Sequence, residues 1–464
     1  MIHRPLKNVF SLFVLLLAGV LSMSAQQVTR ESALSKAEQF FNRSDVVSRR
    51  AAHKAPQLTL ANDRSEFYVF NDEANGGYVV VSGDERMPDV LGYSYTGHFD
   101  AEYIPCNMQA LMEGYAKQIN LLRTNSAMNR KLSLASNSDW SPISPMLECA
   151  WGHWTPYNNL CPELEGKHTA SGCVAIAMAQ IMCYHKWPQQ TTAIIPGYTT
   201  ETSGLVIPET PVTTIDWDNM NYYDPYDENK YESYSKEQAD AVATLMKLCN
   251  VAVKTDFDQV TSGAYMSDAV EAFLNYFDYD STIEDLCNDY YYVEEWNQYE
   301  IEEWNQIVYD ELSNGRPVIC SEPGHALVID GYDKEGYFHL NFGEHDKVFQ
   351  EDGYFLLSWI YNIITGVQPN RPDALHAYAV FDEGKLSFYY DKEKGNRSGE
   401  IYTNLRSCVS GNTNIEECEF DPSFANVRLR NLEGFFENCK NLKTIKGINY
   451  LKTSDVKTMK NMFN

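Results

Sequence analysis

Three residues of this chain carry the side-chain types of a nucleophilic site: Cys173, His325 and Asn341. Cys173 opens the run Cys173-Val174-Ala175-Ile176-Ala177-Met178-Ala179-Gln180-Ile181-Met182, directly after Ser171-Gly172. A thiol at the first position of a helix faces unpaired backbone N–H groups and the positive end of the helix dipole, both of which favour its thiolate. A small buried hydrophobe would occupy the same position equally well, and position alone does not separate the two readings. His325 stands just before an apolar run over 326–332. Asn341 lies near the end of a second run over 337–342, and Asp333-Lys334-Glu335-Gly336 makes a turn between them. Folding that hairpin about residue 334 brings His325 and Asn341 within a residue or two of opposition, where Cβ atoms are about 5 Å apart. A thiol, an imidazole and an orienting amide are the parts of a Cys-His-Asn catalytic group.

The elements that must position these residues follow from pattern. Small, mostly unbranched residues between Gly172 and Pro188 predict a helix of about four turns, buried on most sides. Helices are also expected over 236–249, over 267–277 and at the end of the Tyr- and Glu-rich stretch 285–311. Trp304, Ile307, Val308 and Leu312 face inward in that last one, and its acidic residues form a solvated face. Strands are expected over 317–320, 326–332, 337–342 and 353–358. Upstream lies a smaller α+β unit with a helix around 32–41. It continues with a hairpin of 66–71 and 78–82 through Asn75-Gly76-Gly77, and a helix bearing Met108, Leu111, Met112, Tyr115, Ile119 and Leu122 at helical spacing. Between the units, residues 125–141 are rich in Ser and Asn and contain Arg130 and Lys131, the composition of an exposed linker open to proteolysis.

The 464 residues allow about three domains. With 64 acids against 37 bases the formal charge is −27, which repels phosphate backbones and anionic membranes, so nucleic acid is excluded as a partner. Arg4 and Lys7 precede an apolar run over 9–21, followed by Ser22, Ser24 and Ala25. That is the pattern of a secretory signal cleaved near Ala25, too short for a membrane span. The eleven cysteines run from Cys106 to Cys439 without a tight disulfide framework. Cys161, Cys173, Cys183, His168 and His185 fall near one another, but not at zinc-ligand spacing.

Several runs resemble the streptopain-like bacterial cysteine peptidases, which have the papain-like fold. They are Tyr157-Asn158-Asn159-Leu160-Cys161-Pro162, Ser171-Gly172-Cys173-Val174-Ala175, Tyr184-His185-Lys186-Trp187-Pro188, Thr261-Ser262-Gly263-Ala264, Gly315-Arg316-Pro317-Val318, Gly324-His325-Ala326 and Tyr337-Phe338-His339-Leu340-Asn341. They stay in order from about residue 141 to 369. The resemblance implies Cys173 as nucleophile, His325 as general base and acid, Asn341 as its orienter, and the Cys173 backbone N–H as part of an oxyanion hole. No cofactor or metal is expected. Tyr78-Val79-Val80-Val81-Ser82-Gly83-Asp84-Glu85 resembles part of the family's inhibitory pro-domain, which implies a secreted zymogen cut in the linker. The tail, with Phe436-Glu437-Asn438-Cys439-Lys440-Asn441-Leu442 and Met459-Lys460-Asn461-Met462-Phe463, resembles the start of the leucine-rich-repeat-like surface repeats called BspA-like.

The expected fold is therefore α+β: signal 1–25, pro-domain 26–135, papain-like peptidase domain 136–376 and a repeat-type segment 377–464 that holds about one repeat. Expected partners are protein or peptide substrates, the chain's own pro-domain as inhibitor, and a host or surface protein on the C-terminal segment. The expected location is extracellular or at the cell surface. Three departures from the family pattern keep other readings open. Asn341 is followed by Phe342-Gly343-Glu344-His345-Asp346 rather than a Trp- and Gly-rich turn, a glycine-rich loop after 358 is missing, and Lys167 stands six residues before Cys173 where papain-like enzymes carry Gln. The alternatives are a catalytically impaired homologue acting as a surface binding protein, and an amidase or acyl transferase on the same site.

Overall fold

The computed structural model describes residues 27–49, 54–124, 139–149, 151–220, 234–287, 298–322, 324–344, 353–357, 360, 362–372 and 374–464 apart from 455 and 457. The signal sequence and all but the last residues of the expected linker lie outside these residues.

The N-terminal unit begins with α1 (Arg30–Phe41), capped by the Thr29 hydroxyl, which accepts from the Ser32 N–H at 3.3 Å. Ala33, Ala37, Phe40 and Phe41 recur at helical spacing and form its buried face. After the short α2 (Ser44–Arg49) comes an antiparallel meander of β1 (Leu58–Asp63), β2 (Phe67–Asp72), β3 (Tyr78–Ser82) and β4 (Val90–Ser94). The β2–β3 pair is the hairpin expected around Asn75-Gly76-Gly77. Helix α3 (Cys106–Thr124) closes the unit.

In the second unit a two-residue hairpin, β5 (Glu163–Leu164) and β6 (Lys167–His168), leads to the central helix α4 (Cys173–His185). A small pair, β7 (Tyr198–Thr199) and β8 (Val206–Ile207), then precedes α5 (Lys236–Ala252) and α6 (Met266–Tyr276). The remainder is β9 (Glu284–Cys287), α7 (Gln298–Ser313), β10 (Val318–Glu322), β11 (His325–Tyr332), β12 (Phe338–Asn341), β13 (Gly353–Phe355) and β14 (Asn362–Thr365). Strands β9 and β14 were not expected: the first falls at the start of the Tyr- and Glu-rich stretch, of which only the end was expected to be helical, the second where the family's glycine-rich loop is missing.

The two units share one ten-stranded sheet, ordered β1-β2-β3-β4-β13-β12-β11-β10-β14-β9. Alternation along the strands fills a core on each face: Cys320, Leu327 and Ile329 point to the side of α1, α3 and α7, while Ile319, Ala326 and Val328 point to the side of α4, α5 and α6. The seam is β4 against β13, with Tyr93 opposite Tyr354 and Gly92 opposite Phe355. Tyr93 stacks on Tyr354 and donates to Asp333 Oδ2 at 2.6 Å, and Tyr115 of α3 bridges the Leu91 and Leu356 carbonyls. Gly92 is required here because a Cβ would lie 2.0 Å from the Phe355 ring. Gly92→Val is expected to weaken the docking of the two units by about 1–3 kcal/mol, the usual cost of overpacking. Isothermal titration of the separated units, wild type against variant, checks this; unchanged affinity contradicts it.

The C-terminal unit has a five-stranded sheet in the order β17-β15-β16-β18-β19. Its elements are β15 (His376–Asp382), β16 (Lys385–Asp391), β17 (Glu400–Tyr402), α8 (Leu405–Val409), β18 (Glu417–Phe420) and β19 (Thr444–Lys446). Strands β16, β18 and β19 run parallel. Glu417 faces Thr444 and Asn431 faces Thr458 at the same sequence offset, and the Phe436 and Phe463 rings stack at 5.4 Å.

Candidate active site

Helix α4 begins where it does because its N-terminus is pinned from outside. The Gly172 N–H donates to Asn250 Oδ1 at 3.0 Å, Thr255 donates to the same oxygen, and Asn250 Nδ2 donates to the Ser171 hydroxyl at 2.9 Å. Cys173 is thereby fixed as the first helical residue, half-buried. Its thiol meets the N–H groups of Ala326, Val174 and Cys173 itself. Burial nevertheless dominates and raises the thiol pKa above its ordinary value, with the Glu344 carboxylate adding to the effect. The expectation of a thiolate at the helix start thus does not hold in this state: desolvation exceeds the stabilisation from the helix end.

His325, the first residue of β11, is buried, and it lines the same cavity of about 790 Å³ as Cys173. The 261–267 segment, Asp285, Ser321 and Asn362 also line that cavity. Burial, helped by the neighbouring His153, lowers the imidazole pKa to about 4, against the opposing pull of Glu344 and the Phe342 carbonyl. A protonated thiol and a neutral imidazole are not an activated pair.

The reason lies in the N-terminal unit. Asn107, on the first turn of α3 and fully buried, places its Nδ2 3.3 Å from His325 Nε2 and donates to the Phe342 carbonyl at 2.6 Å. An amide nitrogen only donates, so the His325 nitrogen facing it is the unprotonated one, and its lone pair is engaged by the N-terminal unit.

Asn341 does not lie beside His325. The turn pairs Tyr332 with Phe338, and even with a bulge at Asp330 Asn341 faces Val328, three residues from His325, which pairs with Glu322. The Asn341 amide is bound elsewhere: Oδ1 accepts from Gln180 Nε2 at 2.8 Å and from the Gly343 N–H at 3.1 Å, and Nδ2 donates to the Cys149 carbonyl at 3.1 Å. Continuing the register past β12 brings Glu344 opposite His325, and its carboxylate does approach the ring.

Lys167 is also placed away from the site, exposed on β6. The β5–β6 hairpin takes up the spacing before the nucleophile. The residue that enters the site instead is His153, whose ring centroid lies 5.6 Å from that of His325. His153 Nδ1 is 2.5 Å from the Ser171 carbonyl and Nε2 is 3.4 Å from Glu344 Oε1. Burial opposes its protonation, but the carboxylate and the carbonyl outweigh it and the pKa is raised. Asn107, His153 and Glu344 were not singled out from the sequence as site residues. Of these only His153 carried a local signal, lying just before the Tyr157-Asn158 run.

The raised thiol pKa gives a direct expectation. Alkylation of Cys173 by iodoacetamide in the intact chain is slow at neutral pH. It accelerates only as pH rises beyond the ordinary thiol range, since a raised pKa leaves less thiolate at any given pH. Mass-spectrometric rates against pH check it; rapid labelling of Cys173 at pH 6 contradicts it.

Residues 151–355 match the family model described as the peptidase C10 family, and residues 25–119 match the Spi protease inhibitor. The thiol protease/hemagglutinin PrtT of Porphyromonas gingivalis is 29% identical over 364 residues, which is 73% of this chain but only 40% of that relative's length. Streptopain of Streptococcus pyogenes is 29% identical over 318 residues, covering 63% of this chain and 74% of the relative. Among solved structures, a prointerpain A fragment of Prevotella intermedia matches with a TM-score of 0.56 and 28% identity, over 68% of this chain and all of that one.

Proposed function

We propose, from the premise that residues 151–355 belong to the peptidase C10 family and residues 25–119 are of the Spi inhibitor type, that the chain is a cysteine endopeptidase held latent by its own N-terminal unit. The observation that carries this reading is the Asn107 amide lodged between His325 and the Phe342 carbonyl, beside the cavity that His325 shares with Cys173. Once the N-terminal unit leaves, His325 regains a free lone pair and the site opens to water, so both causes that keep the pair neutral are relieved. The Cys173 thiolate then attacks a peptide carbonyl, and the N–H groups at the start of α4 receive the developing oxyanion. His325 protonates the leaving amine, then takes a proton from the water that hydrolyses the acyl-enzyme. Asn341 acts in this reading as a positioning residue: by tying Gln180 and the Cys149 carbonyl to the end of β12, it fixes where the Phe342 carbonyl meets the imidazole.

The C-terminal unit, with its parallel strands and stacked Phe436 and Phe463 in constant offset, fits a leucine-rich-repeat-like module that binds a host or surface protein. The signal pattern at the N-terminus fits export. The test of the peptidase reading is casein hydrolysis before and after limited proteolysis in the 125–141 segment. Hydrolysis that appears on cleavage supports it; a folded, cleaved chain that leaves casein intact contradicts it.

A further inference from the structure

We infer that Glu322 makes the hold of the N-terminal unit proton-dependent: its carboxyl is closed in beneath α3 as the neutral acid, and rising pH, by favouring the charged form, loosens that unit. The inference rests on the latent-peptidase reading. Glu322 is the last residue of β10 and pairs directly across the turn with His325. Alternation along β10 sends its side chain to the face of Val318 and Cys320, which α3 covers. The residue is 2% exposed. Although it borders the active-site cavity, both of its carboxyl oxygens are buried and have no hydrogen-bond partner.

The surroundings of Glu322 do not support a negative charge. Tyr115 of α3 and Cys320 of β10 are themselves weak acids, and burial followed by the nearness of Glu322 pushes both of their pKa values up. His325 faces it from β11 as a neutral ring in this state. Strand β14 has no titratable side chain. On α7, Glu302, Glu303 and Asp310 are exposed, Tyr309 stacks on Trp140, and Glu311 is paired with Arg316. Burial therefore acts unopposed and raises the Glu322 carboxyl pKa well above the ordinary range. Asp333, the carboxylate at the β4–β13 seam, shows the contrast: it accepts from the Tyr93 hydroxyl and from the Glu335 and Tyr337 N–H groups, so donors meet its charge.

When α3 leaves, water reaches the carboxyl, and at neutral pH its proton passes to solvent. A pKa raised in the docked state makes a contribution to docking that is complete below the free carboxyl's value of about 4.3. That contribution is lost as pH rises from there towards the docked value. His325 has the opposite sign: its pKa is lowered from 6.5 to about 4 in the docked state, so its contribution is lost as pH falls. The two oppose each other over that interval, and above it the effect of Glu322 remains. His153, whose pKa is raised, acts in the same direction as Glu322.

The experiment uses the Cys173→Ala chain cut in the 125–141 segment, so that the N-terminal unit is held by its contacts alone and no peptidase activity enters the readout. Sedimentation velocity over a dilution series, at about pH 6.5 and about one pH unit higher, gives the concentration at which half of that unit separates. The expected result is a rise with pH that is about tenfold larger than in Cys173→Ala/Glu322→Gln, the slope of one proton per chain; His153 and His325 are common to both chains and cancel. Thermal unfolding verifies that each variant is folded, and Cys173→Ala/Glu322→Leu replaces a Gln variant that is not. Separation that does not ease with pH in Cys173→Ala, or that eases equally in the Glu322 variant, overturns the proposal and leaves the latent-peptidase reading standing. An N-terminal unit that stays bound at neither pH overturns both.

Discussion

Cys173→Ala leaves a folded chain without peptidase activity, with a fall in turnover of about 10⁶-fold, the scale on which loss of a nucleophile acts in comparable hydrolases. The structure explains why the effect is confined to chemistry. Cys173 is the first residue of α4, alanine is the best helix former, and the pinning of the helix start runs through Gly172, Asn250 and Thr255 rather than through the thiol. Stability is therefore expected to change by no more than about 1 kcal/mol. Casein hydrolysis by the linker-cleaved variant, with its melting temperature recorded beside the wild type, measures both. Activity within tenfold of wild type would place the nucleophile elsewhere.

Asn107→Ala has the opposite sign. The substitution removes the donor to His325 and to the Phe342 carbonyl, and the acceptor for the Met108 N–H, all in a fully buried position. Leaving buried polar groups without partners costs about 1–3 kcal/mol each, and this cost falls on the docked state. The latent state is thus weakened by about 2–3 kcal/mol, which corresponds to a rise of about 30–150-fold in the open fraction of the uncleaved chain. Alkylation of Cys173 in the uncleaved variant should rise by a similar factor. An unchanged rate would show that Asn107 fills space without restraining His325.

Local pattern reaches as far as local forces do. Helix α4 was legible because Gly172, the small residues after it and Pro188 all point to the same segment, and the β11–β12 turn was legible from Asp333-Lys334-Glu335-Gly336. The register of that hairpin was not. The Asp330 carboxylate accepts from the Met146 and Leu147 N–H groups and lies 2.6 Å from His339 Nδ1, and the strand bulges at this residue. Those partners come from a distant segment, so the bulge has no signature in the hairpin itself; Asn341 stays three residues short of His325 because the turn pairs Tyr332 with Phe338 instead of folding about residue 334. Lys167 failed for a related reason: counting six residues back assumes an extended approach to the nucleophile, and β5–β6 folds that approach into a hairpin. Asn107 reaches the site only because β4 and β13 join the two units into one sheet, which neither unit reveals alone. The stretch 285–311 was expected to be helical only at its end, and β9 at its start was not foreseen; just before the stretch, Glu284 turns inward to accept from the Arg430 and Asn431 N–H groups of the C-terminal unit.

The most direct measurement is labelling with an epoxysuccinyl affinity reagent followed by peptide mass spectrometry, on the intact chain and on the chain cleaved in the 125–141 segment and freed of its N-terminal unit. This reagent reacts with an activated thiol paired to an imidazole, which is the state that the Asn107 contact prevents. The expected result is a single adduct on Cys173 in the cleaved form and little or none in the intact form. No adduct on Cys173 in folded, cleaved protein would contradict the account.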